Sequence, residues 1–330
     1  MLHRNDIFIC MSNGSTQHLG KVAFISEEIG YAFGGFMGAI HPDESQIFPK
    51  YAFYACLSSE YRRFLASIFN GVNINNLKWS DLSDFRIPML PLAEQERIVA
   101  ELDLLQGIID KQKVQLKELD TLAQSIFYDM FGNPVMNDRC WDTATLGSCC
   151  TSVSYGTSAP SSADGEYVYL RMNNITYDGQ LDLRDVKYIS VSETEFEKYA
   201  VKEGDVLFNR TNSADLVGKT TWFHGHEPMI IAGYIIRVRL NGRLLPVFVS
   251  AFMNTKEMKA NLKAMGKGAV NQSNINSKEL QSILTPVPPL SLQQSFATKI
   301  GAIERQKASI NASIAETQKL FDYTMDKYFG

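Results

Sequence analysis

A chain of 330 residues that is 45% hydrophobic and 21% charged is long enough for two domains with separate cores and too apolar to stay disordered. Its formal charge of −4 excludes a global electrostatic pull toward nucleic acid, so any such binding must come from local basic surfaces. No run approaches the roughly 18 apolar residues of a membrane span, Met1–Asp6 lacks signal-peptide organisation, and the five cysteines include no CxxC pair, which predicts a cytoplasmic protein with reduced thiols and no membrane partner.

In chain order, Asp6-Ile7-Phe8-Ile9 leads through a small polar loop to Gly20-Lys21. A proline elbow at Pro88 to Pro91 follows, and behind it apolar residues fall at Ile98, Leu102, Leu105, Ile109, Leu116, Leu119, Ala123, Ile126 and Met130, with Gln112 in the one polar slot. Alternation by four and three is the seam of a coiled coil. A helix from about residue 93 to 131 would run about 58 Å. Tyr167–Arg171, Asp205–Phe208 and Ile230–Val238 have strand composition, and Pro246 to Met265 reads as one helix. A second elbow, Pro286 to Gln293, opens a weaker seam at Phe296, Ile300, Ile303, Lys307, Ile310, Ile314, Thr317, Phe321, Thr324 and Tyr328.

These elements form an internal repeat. Asp6-Ile7-Phe8-Ile9 recurs as Asp205-Val206-Leu207-Phe208, and after a one-residue gap the offset settles at 198: Gly20-Lys21 against Gly218-Lys219, Gly35 against Gly233, Pro88 and Gln95 against Pro286 and Gln293, Phe131-Gly132 against Phe329-Gly330. Residues 1–132 thus match 199–330, and 133–198 have no earlier copy. The expected fold is α+β: mixed α/β domains alternating with long α-helices that pair as an antiparallel coiled coil. The expected boundaries are a partial domain at 1–90, a helix at 91–132, a linker at 133–140, a complete domain at 141–290 and a helix at 291–330.

Catalytic signatures fail one by one. Gly218-Lys219-Thr220 ends like a phosphate-binding loop, but the glycine that should stand five residues earlier is Ser213. Asn133-Pro134-Val135 is not the Asn-Pro-Pro-aromatic motif of an adenine methyltransferase, His224-Gly225-His226 lacks metal-ligand partners, and no acidic triad stands out. No catalytic residue and no metal site are expected.

The ordered marks, the Pro-x-Pro-Pro-Leu-x-x-Gln elbow at Pro286 to Gln293 with its variant at Pro88 to Gln95, Gly204 to Phe208, and Leu170 to Ile175, resemble those of the specificity subunits of type I restriction-modification systems across essentially the whole chain. The resemblance implies two recognition domains that each read half of a split double-stranded DNA site, held apart by the paired helices. It implies two methyltransferase subunits that modify adenine with S-adenosylmethionine, and restriction subunits using ATP and Mg, with no cofactor in this chain. Against the family pattern, the chain is expected to start near the middle of its first recognition domain. The competing expectation is a coiled-coil assembly protein without sequence-specific DNA binding.

Base readout needs phosphate-positioning cations beside side chains that reach base edges, Arg for guanine and Asn or Gln for adenine. Asn209, Arg210 and Asn212 follow a strand and lead to Lys219. Lys256, Lys259, Lys263 and Lys267 share helical spacing and precede Asn271 and Gln272. Arg171, Asn173 and Asn174 form a third cluster.

Overall fold

The computed structural model describes residues 1–69, 76–225, 227–266 and 273–330. They form two compact units, Met1–Lys117 with Lys307–Gly330, and Glu118–Gln306.

In the first unit β1 (Ile7–Cys10) is the centre of an antiparallel sheet, flanked by β2 (Val22–Phe24) and β3 (Met37–Ile40). Ile7 and Ile9 are buried while Phe8 and Cys10 are half-buried, the two-residue alternation of a strand covered on one face. Three short helices follow, α1 (Pro49–Ala55), α2 (Ser59–Phe69) and α3 (Trp79–Leu82), and then the 40-residue α4 (Leu92–Phe131). Pro49 at the first helical position of α1 supplies a preset φ and lacks an N–H that would go unpaired there.

The second unit opens with β4 (Thr143–Thr145), β5 (Cys150–Tyr155), β6 (Tyr167–Leu170), β7 (Lys187–Ile189) and α5 (Glu193–Tyr199), the last started by a Ser192–Glu195 capping box. Then come β8 (Val206–Asn209), β9 (Thr211–Asn212), β10 (Thr220–Trp222), β11 (Met229–Ile231) and β12 (Ile235–Leu240). The chain closes with α6 (Pro246–Met253), α7 (Lys256–Met265), β13 (Ser273–Asn274), α8 (Ser277–Gln281), β14 (Leu284–Pro286) and α9 (Leu290–Phe329). One sheet has the order β10-β8-β12-β5 and another β11-β6-β7, with β11 parallel to β6. The repeat is visible in the topology: β2-β1-β3 matches β10-β8-β12, and β5 belongs to the segment without an earlier copy.

Two sequence-based spans are broken in the structure. Ile230–Val238 is two strands in two sheets, because Ala232 and Gly233 turn between them, the Ile235 amide donating to the Ala232 carbonyl at 2.8 Å and the Gly233 amide to the Thr157 carbonyl at 2.7 Å. Pro246–Met265 is two helices, because Thr255 caps the second: its hydroxyl accepts from the Met258 amide at 3.3 Å.

The recurring Gly-Lys pair has a steric reason. Gly218 sits at φ +82°, and a Cβ there would lie 2.7 Å from Leu262 Cδ1. Gly218→Ala is expected to cost about 1–3 kcal/mol, left-handed strain plus displacement of Leu262; an unchanged urea midpoint would contradict this account.

The long helices pair within each unit. In the first, Ile98, Leu102 and Leu105 of α4 cluster with Phe321, Met325 and Phe329 of α9, Ile109 is fully buried, and Gln112 Nε2 donates to Ser313 Oγ at 2.7 Å. In the second, Phe127 and Phe131 of α4 join Phe296 of α9, with Ile126, Met130 and Ile300 packed beside them. The early part of one helix thus meets the late part of the other, the expected antiparallel pairing. Leu119 and Ile303 are buried, whereas Leu116, Ile310 and Ile314 are half-buried. The seam expected at Ile126 and Met130 is displaced by one residue: Phe127 and Phe131 take the deepest positions, because Phe248 of α6 packs on that side with its ring 4.8 Å from Phe131.

Candidate nucleic-acid interface

The structure brings the sequence clusters of the second unit together, and much of the glue is lysine. Lys219 Nζ donates to the Met172 carbonyl at 2.5 Å, tying the β8–β10 loop to the Arg171–Asn174 turn. Lys259 Nζ donates to the Gly218 carbonyl at 3.3 Å, tying α7 to the same loop, and Lys263 pairs with Asp215 at 2.5 Å. The end of the amide-rich segment joins by a ladder, β13 on β9, where Thr211 Oγ1 donates to Asn274 Oδ1 at 2.8 Å.

Four candidate contact residues are buried and bonded within the unit. Asn209 is fully buried, its Nδ2 donating to the Thr211 and Tyr234 carbonyls and its Oδ1 accepting from Asn212. Asn174 is buried too: Oδ1 accepts from the Arg171 amide while Nδ2 donates to the carbonyls of Asp182 and Asp185. Lys219 and Lys259 are buried with their ammonium groups bonded to backbone. Lys259 shares its helix face with Met258 and Leu262 and lies over the Tyr177 ring, so α7 lacks the continuous solvated lysine face that spacing implied. Desolvation, helped by nearby Lys219, pushes its pKa down to about 8.

The remaining candidates among the described residues stay accessible. Arg210 is half-buried, its guanidinium 5.0 Å over the Tyr155 ring, and its backbone is fixed on both sides: its amide donates to the Tyr234 carbonyl and its carbonyl accepts from the Ile275 amide, each at 2.9 Å. Arg171 donates to the Asp185 carbonyl and carboxylate at 2.9 and 3.1 Å, and exposed Asn173 donates to the same carboxylate at 3.2 Å. Lys267, Asn271 and Gln272 lie outside the described residues.

Sequence reading missed Tyr155, which seats Arg210 and whose hydroxyl accepts from the Ser277 amide at 2.8 Å, and the exposed Tyr234. The one signal was aromatic residues beside glycines, Tyr155-Gly156 and Gly233-Tyr234. The arrangement offers a guanidinium fork on an aromatic seat, flanked by amides, which is equipment for reading base edges. The Lys219 ammonium, turned inward to Met172, is not aimed at a bound phosphate as a phosphate-loop lysine would be. Among the described residues no group of three or more His, Cys, Asp or Glu is placed to hold a metal, and no helix is long and apolar enough to cross a membrane.

The chain is similar to known proteins over nearly its whole length. The EcoKI type I restriction enzyme specificity subunit of Escherichia coli K12 is 26% identical over 347 residues, 98% of this chain and 74% of that protein. The StySPI specificity subunit of Salmonella potsdam is 26% identical over 346 residues with the same coverage. Among solved structures, the S subunit of a type I restriction-modification system from M. genitalium superposes with a TM-score of 0.57 at 14% identity, over 100% of this chain and 84% of that one, which shows a shared fold. The family model for the type I restriction modification DNA specificity domain matches residues 2–120 and 139–318, and the chain belongs to that family.

Proposed function

We propose that the second unit of this specificity subunit reads one half of a split double-stranded DNA target, with Arg210 as a principal base reader and Arg171, Asn173, Asn212 and Lys263 around it. The observation that supports this most is the convergence of four polar segments, joined from beneath by Lys219, Lys259 and the β9–β13 ladder. The same subunit would scaffold two methyltransferase subunits and the restriction subunits of its complex, with S-adenosylmethionine, ATP and Mg handled on those partners. Family membership favours sequence-specific binding over a coiled-coil assembly role.

Selection from a random duplex library, using the chain with its methyltransferase partner, is expected to enrich one split motif. Arg210→Ala should weaken binding to that motif by about 1–3 kcal/mol while leaving random duplex almost unaffected, the loss of a bidentate base contact. Equal losses on both duplexes would reassign Arg210 to phosphate, and no enriched motif would remove the reading altogether.

A further inference from the structure

Each unit holds one residue in the same backbone bracket, just past β1 or β8. In the first unit the Met11 amide donates to the Phe36 carbonyl at 2.9 Å, and the Met11 carbonyl accepts from the Leu77 amide at 2.7 Å. In the second unit Arg210 is held alike, by the Tyr234 carbonyl and the Ile275 amide. The bracket is made of groups that every non-proline residue carries, so it fixes where the side chain starts and leaves its chemistry free.

The surroundings of that side chain differ between the units. Met11 is buried, and a Cβ on Gly38 would lie 3.1 Å from Met11 Cγ and 2.5 Å from Trp79 Cζ2, so methionine and indole close over a glycine. The second unit has Ile236 at the strand position of Gly38, and Ser277 opens α8 where Trp79 opens α3. Its aromatic ring comes instead from β5, where Tyr155 pairs across the sheet with Ile236. The Arg210 guanidinium lies 5.0 Å from the centre of that ring. At the same bracket the first unit thus buries an apolar side chain, and the second seats a cation on tyrosine.

The seat itself is fixed. The β5–β12 ladder holds the Tyr155 backbone, and the Ser277 amide donates to its hydroxyl at 2.8 Å, tying the ring to the first turn of α8. Arg210 Nε is buried without a hydrogen-bond partner, and the ring is the electron-rich surface beside its guanidinium. An arginine held in place before DNA arrives loses less rotamer freedom on binding and offers its fork in one direction.

We propose that Tyr155 is a positioning residue for base reading, its ring aiming the terminal nitrogens of Arg210 at one base pair. The inference rests on the reading of Arg210 as a base contact. Because the ring acts through Arg210, its loss removes discrimination at that pair rather than affinity for DNA at large.

The test uses the full chain with its methyltransferase partner, the enriched motif, and duplexes changed at each base pair in turn. The pair that Arg210 reads is the one whose preference disappears in Arg210→Ala. Tyr155→Leu is expected to reduce the preference at that same pair about tenfold, the loss of a desolvated cation–ring contact. Tyr155→Phe, which keeps the ring face and frees it from α8, is expected to reduce it about threefold. In the Arg210→Ala background neither substitution should change any preference further, the coupling of two groups that act as one. Should Tyr155→Leu fail to fold, Tyr155→Phe and its cycle with Arg210→Ala carry the same test. An unchanged preference at that pair, an equal loss at every pair, or a further loss in the Arg210→Ala background would overturn the positioning role while leaving Arg210 a reader. If Arg210→Ala itself alters no preference, the base-reading proposal falls, and this inference with it.

Discussion

Asp205→Asn is expected to destabilise the second unit by about 3–5 kcal/mol, the loss typical of breaking a buried ion pair from one side. Gly204, at φ +86°, turns the chain so that the Asp205 carboxylate points back into the domain. There it accepts from the Lys202 amide at 2.9 Å and from Arg239 Nε at 2.9 Å, and lies 3.7 Å from Arg237 Nε. Arg237 is 5% exposed; its guanidinium also donates to the carbonyls of Ala200 and Lys198. Burial and neighbouring Arg239 already push the Arg237 pKa down, with Asp205 opposing both. Asparagine keeps the shape and removes the countercharge, leaving a desolvated cation among carbonyl dipoles. Urea denaturation should show a lower midpoint at unchanged slope; a loss below about 1 kcal/mol would mean that Arg237 does not depend on this carboxylate.

Gln293→Ala is the second large effect, about 2–4 kcal/mol, because one side chain answers three backbone groups that then go unpaired. Gln293 is fully buried; Oε1 accepts from the Leu245 amide at 2.8 Å, and Nε2 donates to the carbonyls of Pro288 and Arg243 at 2.8 and 3.2 Å. Gln95 makes the same three bonds in the first unit, to the Phe48 amide and the Leu90 and Gln46 carbonyls. This explains why the elbow motif ends in glutamine: the amide clamps the proline turn to the start of α1 or α6. Glutamate in place of Gln293 should be nearly as damaging, since a carboxylate cannot donate to the two carbonyls. Thermal melts of both variants test this, and a Gln293→Glu variant as stable as the parent would contradict the donor role.

The large-scale organisation was legible in the sequence because it is carried by period and repetition. The four-three spacing from Ile98 to Ile109 and the offset copy of Asp6–Ile9 at Asp205–Phe208 state the helices and the repeat directly. What the sequence hid depends on contacts between distant segments. Phe127 displaces Ile126 from the deepest position because α6 covers its side of the helix. Lys219 and Lys259 look like solvated cations by spacing alone, and only the carbonyls of Met172 and Gly218, brought beside them by the fold, make them buried. Asn209 is likewise a polar loop residue in one dimension and a bracket in three.

The inward-facing lysines also divide the labour between what must stay and what is free to drift. Side chains such as Asn173 and Lys263 stand on the exposed side of that arrangement, where replacement shifts stability by only about 0.5 kcal/mol in either direction. Lys219 and Lys259 hold the loops through backbone carbonyls, which every residue possesses. On the proposed DNA-reading role, a new target preference would be reachable through single exposed substitutions that leave the domain folded.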